Sequence, residues 1–136
     1  MPVLIDASFL VAFDNSIDVH HQKARDLWKK IERGDYGAYF ISDYIFDEVM
    51  GVAMRKVGKK RAIALGQHLL KSVPLINIDR HIFDEAWKIF TNEKLNLNLS
   101  FTDCTNLVLL NLIKAKHIAT FDKEFKKVPN VEVLDG

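Results

Sequence analysis

The chain has 136 residues, 49% of them hydrophobic, and its 19 Lys+Arg against 18 Asp+Glu leave a net charge of +1. A chain of this size buries roughly two-thirds of its unfolded surface, so one domain over residues 1–136 is expected. The near-neutral balance excludes a global field that would hold nucleic acid, and the lone Cys104 excludes an intramolecular disulfide and a multi-cysteine zinc site. In chain order, Val3 to Ile5 forms a short apolar strand. His20 to Glu32 then carries Ala24, Leu27, Trp28 and Ile31 at helical spacing, after a turn around Asn15 and Ser16 flanked by Asp14 and Asp18. Tyr39 to Ile41 is a second strand, followed by helices over Tyr44 to Val57 and Lys60 to Lys71 with Gly58 as the stop between them. Val73 to Ile78 is a third strand, and Arg80 to Thr91 is a helix with Ile82, Phe83, Ala86, Trp87 and Phe90 on one stripe. A helix over Phe101 to Lys114 and strands over His117 to Thr120 and Val131 to Leu134 complete the series.

Short, nearly all-apolar strands separated by helix-length connections predict an α/β fold, with a mainly parallel five-stranded sheet covered by helices on both faces. Ligands of such sheets bind beyond the carboxyl ends of the strands. No apolar run approaches the ~18 residues that span a bilayer, and no basic flank precedes the first strand. A soluble cytoplasmic protein is therefore expected.

Acids recur where that fold binds ligands. Asp6 follows the first strand directly, Asp122 follows the strand ending at Thr120, and Asp103 opens the long apolar helix in "LSFTDCTNLVLL". Glu48 lies beyond the strand ending at Ile41, but periodicity sets Asp47 and Glu48 at opposite margins of one apolar face and leaves both open. Each Asp also suits a helix cap, and Ser100 with Asp103 reads as a capping box. Taken together, several carboxylates held close must gather protons or cations, because like charges raise one another's pKa. Oxygen ligands with open water positions suit Mg²⁺ or Mn²⁺, which activate water and neutralise charge on a phosphate. Phosphodiester hydrolysis follows as the expected reaction.

These motifs resemble those of the PIN-domain ribonucleases, and in particular the VapC-like toxins of prokaryotic toxin–antitoxin pairs. "LIDAS" is similar to the first motif of the family, with Asp6 as ligand and Ser8 as an accessory polar group. "ISDYIFDEV" is similar to the second, with Ser42 and Glu48, so the resemblance selects Glu48 over Asp47. "LSFTDCTNLVLL" supplies Asp103, and "ATFDKEF" supplies Thr120 and Asp122, although Phe121 stands where members often carry Arg or Asn. The resemblance implies a three-layer α/β/α sandwich and one or two Mg²⁺ or Mn²⁺ ions held by Asp6, Glu48, Asp103 and Asp122. It also implies endonucleolytic cleavage of RNA leaving a 5′-phosphate, in a homodimer inhibited by a small antitoxin protein.

The basic run Arg55, Lys56, Lys59, Lys60 and Arg61 offers contacts for RNA phosphates, and equally reads as a solvated turn between helices. The five histidines show no metal-ligand spacing, and Cys104 reads as a buried thiol. Ser8 occupies the place of the second Asp of a haloacid-dehalogenase phosphatase. A receiver domain would need a phospho-acceptor after a central strand, where the chain offers only Asp79. An RNA-processing nuclease and a non-catalytic binding module of the same fold are the nearer alternatives.

Overall fold

A computed structural model describes residues 2–136. Its elements run β1 (Val3–Ile5), α1 (Ala7–Asp14), α2 (His21–Glu32), β2 (Tyr39–Ser42), α3 (Asp43–Val57), α4 (Lys59–Ser72) and β3 (Leu75–Ile76). There follow α5 (Arg80–Phe90), a 3₁₀ turn (Glu93–Leu95), α6 (Phe101–Leu112), β4 (His117–Ala119), a second 3₁₀ turn (Lys123–Lys127) and β5 (Glu132–Leu134). The strands form one sheet in the order β3-β2-β1-β4-β5, and every neighbouring pair is parallel. Val3, Leu4 and Ile5 at its centre have no solvent exposure, as a strand covered on both faces requires.

Right-handed crossovers fix where the helices lie. The chain moves from β1 towards β2 and β3 by way of α1 to α4, then returns past β1 to β4 by way of α5 and α6, so the two groups cover opposite faces. The packing agrees: α1 contacts α2 and α3, α3 contacts α4, and α5 contacts α6. Reversal of the strand order beside β1 makes the crevice beyond β1 and β4 the topological switch point of the sheet. Ile5 is paired with Ala119 there, and the Asp6 N–H donates to the Ala119 carbonyl at 2.9 Å.

Two elements differ from expectation. Helix α1 is absent from the elements read from the sequence. It is short, and its Ala7, Phe9, Leu10 and Ala12 are all buried, so it carries no polar stripe by which a surface helix announces itself. Strand β3 has two residues rather than the six of Val73 to Ile78. The Val73 N–H still closes α4 on the Leu69 carbonyl, Pro74 has no N–H to give, and the Ile78 N–H donates to Asp43 Oδ1 at 2.9 Å. At Gly58 a φ of 89° lets the chain turn directly from α3 into α4, a conformation that side chains with a Cβ resist. Among the described residues no helix is long and apolar enough to cross a membrane.

Candidate active site

Asp6 leaves β1 in an extended conformation and caps α1, its Oδ1 accepting the Ala7 N–H at 2.8 Å. Its other oxygen, Oδ2, accepts the Thr120 hydroxyl at 2.7 Å, with the Ser8 hydroxyl 3.5 Å away. Ser8 and Thr120 are themselves 3.1 Å apart; Ser8 Oγ accepts the Phe121 N–H and Thr120 Oγ1 accepts the Asp122 N–H, each at 3.0 Å. The two hydroxyl residues thus bolt the segment after β1 to the segment after β4. Asp6 is only 3% exposed, and this burial pushes its carboxyl up to about 7, with the Thr120 hydrogen bond pulling it down and the charges of Asp103 and Glu48 adding to the rise.

Asp103 forms a reciprocal cap at the start of α6: its N–H donates to Ser100 Oγ at 3.1 Å, and its Oδ2 accepts the Ser100 N–H at 3.0 Å. Burial raises its carboxyl, the bonds with Ser100 oppose that rise, and the charge of Asp122 adds to it. Glu48, half-buried on α3, is raised by burial and then by Asp103, Asp122 and Asp47. Asp47, its rival on the same helix, is exposed. Asp122 caps the second 3₁₀ turn, with Oδ1 accepting the Glu124 N–H at 2.9 Å. Ser42 is fully buried and caps α3 through its Oγ, which accepts the Ile45 N–H at 2.9 Å.

The capping and gathering of acids therefore coexist. Asp6, Asp103 and Asp122 each hold an element end, and Asp6, Glu48 and Asp103 each feel the charges of others in the set. Among the described residues no three Asp, Glu, His or Cys side chains are drawn together tightly enough to hold an ion as they stand. The donor chemistry nevertheless fits a hard divalent cation: all carboxylate and partly buried, with Asp6, Glu48 and Asp103 raised first by burial and then by neighbouring acids, a condition that bound positive charge relieves. Glu48 lines two cavities. One of ≈ 390 Å³ also touches Ser8, His20, Lys56, Phe121 and Asp122, and one of ≈ 560 Å³ also touches Asp43, Tyr44, Asp47 and Thr102.

Of the basic run, Lys56 lines the first cavity, while Arg55, Lys59 and Lys60 are exposed around the α3–α4 turn. Arg61 reaches back to α1, donating to the Asp14 carbonyl at 3.2 Å and lying 3.5 Å from the Asp14 carboxylate. Cys104 is buried, and burial raises its thiol. Asn106 has no counterpart among the residues singled out from the sequence. Fully buried one turn after Asp103, it places Nδ2 3.4 Å from Asp6 Oδ1, and its Oδ1 has no hydrogen-bond partner among the described residues. A polar residue inside the apolar run "CTNLVLL" is the signal that marks it.

Carboxylates from four separate segments thus meet near the switch point of a parallel α/β sheet, the place where open sheets of this class bind ligands. The PIN-domain family model matches residues 3–131, and the chain belongs to that family. Among solved structures it is similar to the VapC20 toxin of Mycobacterium tuberculosis, described as cleaving the sarcin-ricin loop. The TM-score is 0.82 at 21% identity, covering 91% of this chain and 92% of that one. VapBC2 of Rickettsia felis, bound to DNA from its promoter, matches with a TM-score of 0.75 at 15% identity over 98% and 97% of the two chains. DNA-bound VapBC of Salmonella typhimurium gives 0.71 at 12% identity over 98% and 96%. At these identities the likeness carries the fold. The chain matches no curated protein sequence.

Proposed function

We propose that the chain is a divalent-metal-dependent endoribonuclease and the toxin of a VapBC-type pair. The observation that carries the reading is geometric: Asp6 tied to Thr120 at the end of β1, Asp103 at the start of α6, Asp122 after β4 and Glu48 on α3 beside Asp122 in one cavity, all at the switch point of the sheet. Asp6, Glu48, Asp103 and Asp122 would hold one or two Mg²⁺ or Mn²⁺ ions, which when bound activate water and neutralise charge growing on the phosphate. The chain's own residues do the positioning. Thr120 and Ser8 fix the Asp6 carboxylate in one orientation, the Ser100 cap fixes Asp103, and Lys56 supplies a positive charge beside Glu48 and Asp122. Single-stranded RNA is the substrate class proposed, because its unstacked bases can be splayed away from the phosphate presented to the acids.

The VapBC neighbours support an antitoxin partner; on our reading a segment of it covers the acidic rim, and the chain pairs with a second copy of itself. Exposed Met54, Ile63 and Leu70 on α3 and α4, and Trp87 and Phe90 on α5, offer apolar surface for such contacts. A non-catalytic PIN-fold binding module is the competing reading, favoured by the caps that give three of the acids a structural reason to be there. One experiment separates the two. Purified chain is incubated with RNA and Mg²⁺ or Mn²⁺, against EDTA and Asp103→Asn controls, and melted with and without Mn²⁺. Cleavage that disappears in both controls, with a higher melting temperature in Mn²⁺, supports the nuclease. Intact RNA with no shift at millimolar Mn²⁺ leaves the binding module.

A further inference from the structure

Three near-parallel rings run from the core to the rim beside the acids. Phe9 is fully buried; Phe121 stacks on it with 5.7 Å between centroids and 9° between planes; the imidazole of His20 stacks on Phe121 at 4.3 Å and 5°. His20 and Phe121 are half-buried, and both line the ≈ 390 Å³ cavity that contains Glu48, Asp122 and Lys56. Phe121 is the residue between Thr120 and Asp122, so the stack adjoins the acidic rim through the chain itself.

Beyond its ring's stack on Phe121, His20 carries no side-chain capping role. It occupies the N-cap of α2, where Ser, Thr, Asn or Asp is favoured, and its side chain makes no capping bond. Among the described residues its ring enters no hydrogen bond, whereas the neighbouring His21 uses Nδ1 to reach the Ala12 carbonyl at 2.8 Å. Its position is nevertheless held from two sides. The His20 N–H donates to Asp18 Oδ1 at 2.9 Å, and the Phe121 N–H donates to Ser8 Oγ at 3.0 Å.

A planar ring, pre-oriented, part-exposed and set in a groove beside carboxylates, suits one kind of guest. Among the described residues that line the cavity, Asp18, Glu48 and Asp122 stand against Lys56 alone, so beyond the phosphate held at the metal-binding acids a second anion is disfavoured there. A nucleobase is neutral and planar, and unstacked RNA bases pack on His, Phe, Tyr and Trp rings. Exposed Ile17 and Val19 extend the apolar rim of the same loop. The geometry points to His20, backed by Phe121, as a base-stacking contact for a nucleotide next to the cleaved bond, an inference that rests on the nuclease reading above. Such a contact reads a π-face rather than a base edge, so it sets which phosphate is presented to the acids and tolerates different bases.

The test measures binding of the full chain to a fluorescein-labelled single-stranded RNA by anisotropy, with Ca²⁺ in place of Mg²⁺ or Mn²⁺. Wild type, His20→Ala and His20→Phe are compared on intact RNA and on the same RNA carrying one abasic site at each position in turn. His20→Ala should weaken binding about tenfold, as expected for the loss of one stacked base, and His20→Phe should restore it to within about twofold. One abasic position should reproduce the loss in wild type and add nothing in His20→Ala. Equal weakness of His20→Phe and His20→Ala, unchanged binding by His20→Ala, or abasic losses that add in full to His20→Ala would each overturn the contact. Should His20→Ala fail to fold, the comparison of wild type with His20→Phe on abasic RNA decides alone. A chain that cleaves RNA while His20→Ala binds normally defeats the stacking contact only; absence of both cleavage and binding defeats the nuclease reading with it.

Discussion

Replacing Asp6 with Asn separates a burdened charge from a useful cap. The carboxyl is 3% exposed and pushed up to about 7 by burial, whereas in the unfolded chain it titrates near 3.8. A folded value above the unfolded one means that the native state holds its proton more tightly, so stability falls as pH rises between those two values. Above pH 7 the full cost is of order 4 kcal/mol. Asparagine keeps an acceptor for the Ala7 N–H and is itself a favoured N-cap. Its amide can donate to Thr120 Oγ1, whose hydroxyl still has Ser8 within 3.1 Å. In EDTA, the advantage of Asp6→Asn over wild type should therefore grow by about 2–3 kcal/mol between pH 5 and pH 8, read by urea denaturation at each pH. Millimolar Mn²⁺ at pH 8 should stabilise wild type and leave Asp6→Asn unmoved. Parallel stability curves, with the variant lower at both pH values, would refute the reasoning and leave Asp6 a cap and nothing more.

Asp103→Asn should lower cleavage about a hundredfold or more while leaving the metal-free melting temperature unchanged or higher, since the acceptor for Ser100 survives and the charge does not. Asp103→Ala, which also loses the reciprocal cap, should cost about 1 kcal/mol of stability in the same melts. Lys56→Ala should reduce the slope of log affinity against log salt by about 1 for RNA binding, an effect not expected of exposed Lys60→Ala. Phe125 has no exposure, and Phe125→Ala should lower urea-measured stability by about 3–5 kcal/mol; a loss below about 1 kcal/mol would contradict its packing in the core.

The strand and helix series was legible because each buried strand is a short apolar run and most helices carry one apolar stripe, two patterns that a single chain displays without its neighbours. Helix α1 hides because it is short and its residues from Phe9 to Phe13 are all apolar, and β3 reads too long because apolar residues at Val73 and Ile78 serve a helix end and a loop. The acids at strand ends were equally visible as residue types. Choosing between Asp47 and Glu48 by periodicity was not possible, since both sit at margins of the same face; the fold exposes one and half-buries the other beside the cavity. The partners of Asn106 and His20 were illegible for a different reason, although Asn106 itself stands out as a polar residue in an apolar run. Asn106 meets Asp6 across 100 positions, and His20 meets Phe121 from the other half of the chain, so their surroundings exist only after tertiary structure forms.

The bond between Thr120 and Asp6 joins positions 114 apart, across the middle of the sheet. Contacts so remote are slow to close, because the chain between them must be ordered first. During translation β1 waits with one edge bare until β4 has left the ribosome, and Asp122 emerges later still. A product that stops short of Asp122 therefore carries no assembled acidic rim, so the site is among the last parts of the molecule to exist.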